Sequence, residues 1–367
     1  MFDFERRLSS LREAMQSAGM AAALIAATDN MRYLTGWAEP AGERFLALWV
    51  PVVGNPVFLV PQLYADDVLA RRCADIPVLV HADGDGWHDL AARCLAGLAA
   101  GAAVLVDDEL QAGHLLDLQR LGPSCKWIAS SSLMPRLRAL KSPDEIQAME
   151  RSASLADTVF LSVLDDLRPG TTEAGVQTAI LRRFADGGAE SSWAIVAFGP
   201  NSALPHHRSG GKPLEPGAVA VLDLGCSLDG YQSDITRTVA IGRADPDAAR
   251  IYDVVLAAHE AAMSHARPGV ACQQVDRAAR RIISEAGHGP QFVHRTGHGI
   301  GLSTHEPPNL VEGDLTVLAP GMCFSDEPGI YLPGRFGVRI ENIICITEDG
   351  ARSLNAPAPT TLPVLER

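Results

Sequence analysis

The sequence predicts a mixed α/β (α+β) protein of two domains, a small N-terminal α/β domain over 1–138 and a larger helix-and-strand domain over 139–367. Three observations carry this expectation. The 367 residues exceed one average domain, and a 47% hydrophobic content is enough for one large core or two moderate ones. Through the first part of the chain, amphipathic helices alternate with short apolar strands. At Lys141-Ser142-Pro143-Asp144-Glu145 a helix start intervenes, with a serine to cap it, proline at its first position and acids in its first turn.

In the first domain, 4–18 reads as an amphipathic helix and 21–26 as a buried strand. Strands are expected at 45–50 and 56–60, joined through Gly54, and another at 104–106. This part has no phosphate-cradling glycine loop. His81, His88 and His114 lack ligand spacing and are expected to face solvent or to be satisfied in the core. In the second domain the Ser142 helix runs to about residue 167, where Arg168-Pro169-Gly170 stops it and Thr172 can cap the next helix, 173–185. Helix 247–266 ends at Arg267-Pro268-Gly269 before helix 272–286, so the stop-and-restart pattern occurs twice and hints at an internal duplication. Strand-rich segments fall at 192–198, 218–224, 232–241, 321–324 and 337–346.

A formal charge of -13 and a pI near 5.3 argue against a nucleic-acid or anionic-membrane binder, because both need concentrated Lys and Arg. The opening MFDFERRLSSLREAMQSAGM places acids and arginines where a secretory signal needs an apolar core, and no segment offers ~18 uninterrupted apolar residues. A soluble cytoplasmic protein is expected. Cys73, Cys94, Cys125, Cys226, Cys272, Cys323 and Cys345 are odd in number and never spaced as CxxC, so they read as reduced, mostly buried fillers.

The chemistry gathers in four segments. The apolar run Val219-Ala220-Val221-Leu222 ends on Asp223, and Asp229-Gly230 leads into Tyr231-Gln232-Ser233-Asp234. Asp-Gly between two strands is a strong hairpin signal. A two-residue turn there opposes Asp223 to Thr236 and Gly225 to Asp234, placing both aspartates diagonally on one face with backbones roughly 7 to 8 Å apart. Two carboxylates aimed together repel, so they imply a cation or a shared proton; a longer turn would instead leave both in water. Around a Pro333-Gly334 turn, Glu327 and Glu341 lie in apolar strands, and alternation puts Glu341 on the side of Arg339. An ordinary ion pair with Arg339 is the alternative to a metal for such a carboxylate. In Gly297-His298-Gly299-Ile300-Gly301 the glycines let the backbone approach closely and leave the His298 ring unobstructed. His305 needs an intervening bend to reach the same place. The loop Phe198-Gly199-Pro200-Asn201-Ser202-Ala203-Leu204-Pro205 leads to His206 and His207, of which one is expected to be only structural.

These stretches resemble the M24 metallopeptidases of the pita-bread fold, and within them the prolidase and aminopeptidase P branch. The elements appear in order: LDLG with a second aspartate eleven residues later, GHGIG with a second histidine seven later, DEPGIY, and GVRIEN with its glutamate fourteen after the first. The leading domain fits the creatinase-type N-terminal domain of that branch. The resemblance implies that Asp223, Asp234, His298, Glu327 and Glu341 are the metal ligands, with Asp234 and Glu341 bridging. None of the five is substituted, unlike what is expected of relatives that lost metal catalysis. It further implies that Glu327 handles the proton of the nucleophile, that His206 and His305 steady the substrate carbonyl, its tetrahedral anion and the leaving nitrogen, and that Arg339 fixes a ligand carboxylate.

Four carboxylates give -4 and two divalent ions give +4, a neutral dinuclear set able to make hydroxide available near neutral pH. Oxygen-rich ligation with one imidazole suits Mn²⁺, Co²⁺ or Zn²⁺, and the family favours manganese. The expected substrate is a small peptide cleaved before proline, as a dipeptide or at a longer peptide's N-terminus, and a homodimer is expected by resemblance. The alternatives are a C–N hydrolase of an ectoine- or creatine-like solute and a catalytically silent peptide-binding module. Arg335, His207 and Trp37 are candidates for selecting between dipeptidase and aminopeptidase action.

Overall fold

A computed structural model describes residues 2–39, 42–71, 75–83, 86–243 and 245–366, so Cys73 lies outside the described residues. The chain divides into two units, Met1–Arg138 and Ala139–Arg367.

In the first unit, helix α1 (Phe4–Ser17) starts where the Asp3 carboxylate accepts the Arg6 N–H at 2.9 Å, and it buries Leu8, Leu11 and Met15 at helical spacing. Strands β1 (Met20–Ala26), β2 (Ala47–Pro51), β3 (Val57–Pro61), β4 (Val78–His81), β5 (Ala103–Val106) and β6 (Lys126–Ala129) form one sheet in the order β4-β3-β2-β1-β5-β6. The three central strands β1, β2 and β3 meander antiparallel, while β4, β5 and β6 add in parallel. Parallel additions need crossovers, supplied by α3 (Ala65–Arg71), α4 (His88–Ala96) and α5 (Ala112–Leu121), whereas α2 (Asp29–Thr35) links the antiparallel β1 and β2; α6 (Met134–Ala139) runs to the boundary. Buried His81 holds the Phe45 carbonyl at 2.9 Å, and the rings of His88 and His114 lie against Trp87.

The second unit opens on the capping box that the sequence signals. The Ser142 hydroxyl accepts the Glu145 N–H at 3.3 Å and the Glu145 carboxylate accepts the Ser142 N–H at 2.9 Å, which starts α7 (Pro143–Val163). The α-helix stops at Val163 and a 3₁₀ turn, Leu164–Asp166, completes the stretch expected to be helical to residue 167. Thr172 then caps α8 (Glu173–Asp186). Strands β7 (Ser191–Phe198), β8 (Val219–Leu228), β9 (Tyr231–Gln232) and β10 (Ile235–Ile241) follow, then α9 (Pro246–His265) and α10 (Cys272–Glu285). The remaining strands are β11 (Gly297–Gly299), β12 (Glu306–Leu310), β13 (Cys323–Asp326), β14 (Gly329–Leu332), β15 (Phe336–Arg339), β16 (Asn342–Ile346), β17 (Ala351–Ser353) and β18 (Val364–Leu365).

One sheet runs β18-β10-β8-β7 with β9 on β8, and a second runs β12-β11-β13-β16-β17; β14 and β15 make a separate hairpin. Each sheet has its own core. Val159, Phe160, Ile180 and Phe184 of α7 and α8 pack on the first, and Ile251, Val255, Val275 and Ile283 of α9 and α10 on the second. The repeated Arg-Pro-Gly element is a true structural repeat. After the first, the N–H groups of Gly170, Glu173 and Ala174 bond the carbonyls of Leu214, Lys212 and Gly210; after the second, those of Gly269, Cys272 and Gln273 bond Leu318, Thr316 and Asp314.

Two segments expected as single strands are broken. The stretch 232–241 divides at Ser233-Asp234, and 337–346 divides at Ile340-Glu341. In both, the ladder stops where a buried acid must turn out of the strand. The segment expected at 321–324 is shifted to Cys323–Asp326, because Gly321 and Met322 form the entry turn.

Candidate metal centre

The hairpin between β8 and β10 has the register that Asp229-Gly230 predicts. Both turn residues take positive φ, 53° and 80°, and the strands pair Asp223 with Thr236 and Leu224 with Ile235. Asp223, Asp234 and Thr236 consequently share a face. The paired strand β7 adds Trp193 opposite Gly225 and Ile195 opposite Asp223, an apolar wall beside the acids.

The second pair of acids arrives from the other sheet. β13 pairs β16 with Asp326 opposite Asn342, so Glu327, just past β13, and Glu341, just before β16, leave the ladder at the same end. Thr236 joins the two sheets: its hydroxyl donates to Glu341 Oε2 at 2.6 Å and accepts from Arg339 Nε at 3.0 Å. Arg339 forms an ion pair, but its carboxylate partner is Asp223 rather than the neighbouring Glu341, and it also donates to the Tyr331 hydroxyl at 3.0 Å.

His298 lies on β11, between β12 and β13. A Cβ on Gly297 would sit 1.7 Å from the Ser325 carbonyl oxygen, and one on Gly299 would sit 2.5 Å from that of Glu306, so only glycine lets the three backbones approach this closely. The Gly299 carbonyl, 3.1 Å from His298 Nδ1, can only accept, so Nδ1 carries the proton. That leaves Nε2 as a lone pair facing Glu327 Oε1 at 3.4 Å and Asp234 Oδ2 at 4.0 Å. Residues 300–305 bend back, and the His305 and His298 rings come within 4.1 Å.

Together these residues line a cavity of about 740 Å³ that includes His206, Asp223, Asp234, His298, His305, Glu327, Arg339 and Glu341. All of the sequence-predicted metal and catalytic residues are therefore brought together. Burial pushes the carboxyls of Asp234 and Glu341 well up, and the neighbouring carboxylates add to the shift. Burial likewise carries Glu327 up to about 7, while it lowers His298 to about 3. Burial works against the Arg339 cation, but Tyr331 and the carboxylates of Asp223, Glu327 and Glu341 more than offset it.

The donor set fits divalent metal. Oδ1 of Asp223 and Oδ1 of Asp234 are buried with no hydrogen-bond partner, a costly state for a carboxylate unless a cation takes those lone pairs. Ligand atoms of Asp234, His298 and Glu341 already lie within 4.8 Å of one another. Four carboxylates against the two arginines of the lining, Arg295 and Arg339, leave a net negative pocket that hard or borderline divalent ions would neutralise.

The histidine pair divides as expected. His206 lines the cavity, whereas His207 holds Glu173 at 2.8 Å. Glu173 also accepts from Phe198 N–H at 2.9 Å, Asn201 Nδ2 at 2.8 Å and Gly210 N–H at 3.1 Å, which fixes the loop that carries His206. Burial would raise its pKa, yet these donors hold it below the usual carboxylate range. Its stabilisation is then present above the unfolded-state pKa and is lost as pH falls through the lower folded-state value. Glu173→Gln turns an amide N–H₂ onto existing donors and is expected to cost about 3–5 kcal/mol in urea unfolding, most of it gone under acid conditions. An unchanged midpoint would remove Glu173 as the loop's anchor. Of the other specificity candidates, Arg335 bridges Asp245 and Asp247 at 2.7 and 2.9 Å, and Trp37 donates to Asp67 within the first unit at 2.8 Å.

The sequence pattern of the family described as Metallopeptidase family M24 matches residues 147–348, and that of the Creatinase/Prolidase N-terminal domain matches residues 7–140. The chain belongs to metallopeptidase family M24. Its fold is a creatinase-type N-terminal domain followed by an M24 pita-bread domain, and the family works with divalent metal ions. It is 40% identical over 357 residues to the probable dipeptidase PepE of Mycobacterium tuberculosis, covering 96% of this chain and 94% of that protein. It is 34% identical over 352 residues to an Xaa-Pro dipeptidase of Lactobacillus helveticus, covering 94% and 95%. The crystal structure of a prolidase from Thermococcus sibiricus superposes with a TM-score of 0.94 at 32% identity over the whole of both chains.

Several residues that line the cavity of this M24 site, or hold its lining from behind as Thr236 and Tyr331 do, were not singled out by sequence. Thr236 had a signal, since alternation places it on the face of Asp234. Tyr331 sat inside a quoted motif without an assigned role. His294, Arg295, Trp193 and Ile195 reach the cavity only through the fold. Among the described residues Cys94, Cys125, Cys226, Cys272, Cys323 and Cys345 are free thiols, and no helix is long and apolar enough to cross a membrane.

Proposed function

We propose that this metallopeptidase hydrolyses the Xaa-Pro bond of dipeptides or of peptide N-termini, with two divalent ions, Mn²⁺ in the native enzyme, held by Asp223, Asp234, His298, Glu327 and Glu341. Of these, Asp234 and Glu341 would hold both ions. The observation that carries the reading is the pair of buried, unpartnered carboxylate oxygens on Asp223 and Asp234 amid a four-acid cluster. The name of the Lactobacillus relative, an Xaa-Pro dipeptidase, supports the choice of substrate.

When bound, divalent ions supply Lewis acidity, which polarises a carbonyl and acidifies water. Glu327 takes the proton of the attacking water and returns it to the leaving nitrogen, from its place on the cavity wall beside His298 Nε2. His305 and His206, on the cavity wall, steady the substrate carbonyl, its tetrahedral anion and the leaving nitrogen. Arg339 positions Asp223 through their ion pair. A scissile Xaa-Pro bond has no N–H, so a site that acts on the carbonyl suits proline where one gripping that hydrogen fails. Residues 139–367 form the catalytic domain, and 1–138 an accessory one; the chain works as a cytoplasmic homodimer, testable by light scattering and cell fractionation.

The deciding experiment is mass-spectrometric product analysis of the Mn²⁺-loaded protein with Ala-Pro, Ala-Pro-Ala and non-proline controls. Free proline from Ala-Pro is the expected result. Cleavage of Ala-Pro-Ala at the same bond would extend the activity to longer N-termini, and failure to cut any proline peptide would transfer the site to a small cyclic or amidine solute.

A further inference from the structure

We propose that Asp276, with Arg280 and Thr296, is a positioning clamp for the metal-binding segment, acting on His298 and Glu327 from behind without entering the cavity. The inference rests on the metal-centre reading above and deepens it.

Asp276 lies on α10, wholly buried, and its Oδ1 accepts both the Thr296 N–H at 3.1 Å and the Thr296 hydroxyl at 2.7 Å. Arg280, one turn further on, grips both oxygens of the same carboxylate at 2.9 and 3.0 Å. Its remaining N–H groups donate to the carbonyls of Phe292 at 3.1 Å and His294 at 2.8 Å, and its guanidinium stacks 4.2 Å over the Phe292 ring. One helix face thereby fixes the backbone from 292 to 296.

The opposite side of that backbone meets the site. The Thr296 carbonyl accepts the Glu327 N–H at 2.8 Å, and two residues on, the His298 N–H donates to Ser325 Oγ at 3.0 Å. Ser325 Oγ in turn donates to Glu327 Oε1 at 3.2 Å. Thr296 is therefore the link between a buried carboxylate that touches no ligand and the backbones of two proposed ligands. Stability alone is a poor reason for such a pair, because removing two charges from water offsets most of what their attraction returns. What the clamp supplies is a fixed placement: β11 passes within contact of β13 at Gly297 and has no slack with which to correct a shift.

The test measures Mn²⁺ binding by titration calorimetry, the absorption spectrum of the Co²⁺-loaded protein, and the melting temperature of the metal-free protein. Asp276→Asn and Thr296→Val are expected to weaken Mn²⁺ about 10- to 100-fold and to alter the Co²⁺ bands. Thr296→Ser, which keeps the hydroxyl donor, recovers most of the loss. Arg277→Ala, which removes only the exposed pair with Glu312 on the same helix, binds like wild type. If Asp276→Asn and Thr296→Val lower the melting temperature while Mn²⁺ affinity and Co²⁺ spectrum stay wild-type, the residues are structural only and the proposal is overturned. Should Asp276→Asn fail to fold, Thr296→Val decides alone. If wild-type protein itself binds no Mn²⁺, it is the metal-centre reading that fails.

Discussion

Asp234→Ala and Glu341→Ala are each expected to abolish peptidase activity and to lower bound metal measured by mass spectrometry of the dialysed protein. The reason is charge and geometry together. Removing one of four carboxylates leaves -3 against two divalent ions, and both positions are the ones at which a strand gives up its ladder to aim an acid inward. Neither side chain is a packing element that alanine would merely hollow out. Asp234 Oδ1 has no partner, so the metal-free variant loses an unfavourable buried carboxylate and should unfold no more easily than wild type. Full activity in either variant would sink the dinuclear mechanism, and a collapsed fold would show that the aspartate was structural.

Arg339→Met is expected to act in the opposite sense on the metal-free protein. Methionine fills much of the space but leaves Asp223 buried without its cation, which typically costs about 3–5 kcal/mol. Thr236 loses the Nε donor that orients its hydroxyl on Glu341, and Tyr331 loses a second. Because metal would then supply the positive charge that Arg339 gave Asp223, the rise in melting temperature on adding Mn²⁺ should exceed that of wild type. Urea unfolding of the metal-free proteins measures the first effect, and thermal melts with and without Mn²⁺ measure the second. Equal metal-free stability of variant and wild type would show that Arg339 does not compensate the cluster.

The hairpin at Asp229-Gly230 shows what was legible. A two-residue turn demands positive φ twice, few residues accept that, and the side-chain period of two then fixes which acids share a face. The same locality made Ser142 and Thr172 readable as caps. The strand breaks at Asp234 and Glu341 were not readable, because alternation of apolar residues continues through them and only the opposing sheet explains the turn. Nor was the choice of partner for Arg339. Glu341 is two residues away and Asp223 is 116, and the nearer acid was the natural guess.

The sequence by itself determined the longer helices, their caps, the turn register and the residue types able to ligate, since each depends on backbone preferences within a few positions or on side-chain chemistry. Only the tertiary structure decided which carboxylate pairs with Arg339, which histidine of the loop faces the cavity, and that Asp276 holds Thr296 from behind. Those outcomes rest on groups 20 to 116 residues apart meeting in a space shielded from water. There a polar group must find a partner, and which partner it finds is set by how the sheets pack rather than by what lies next to it in the chain.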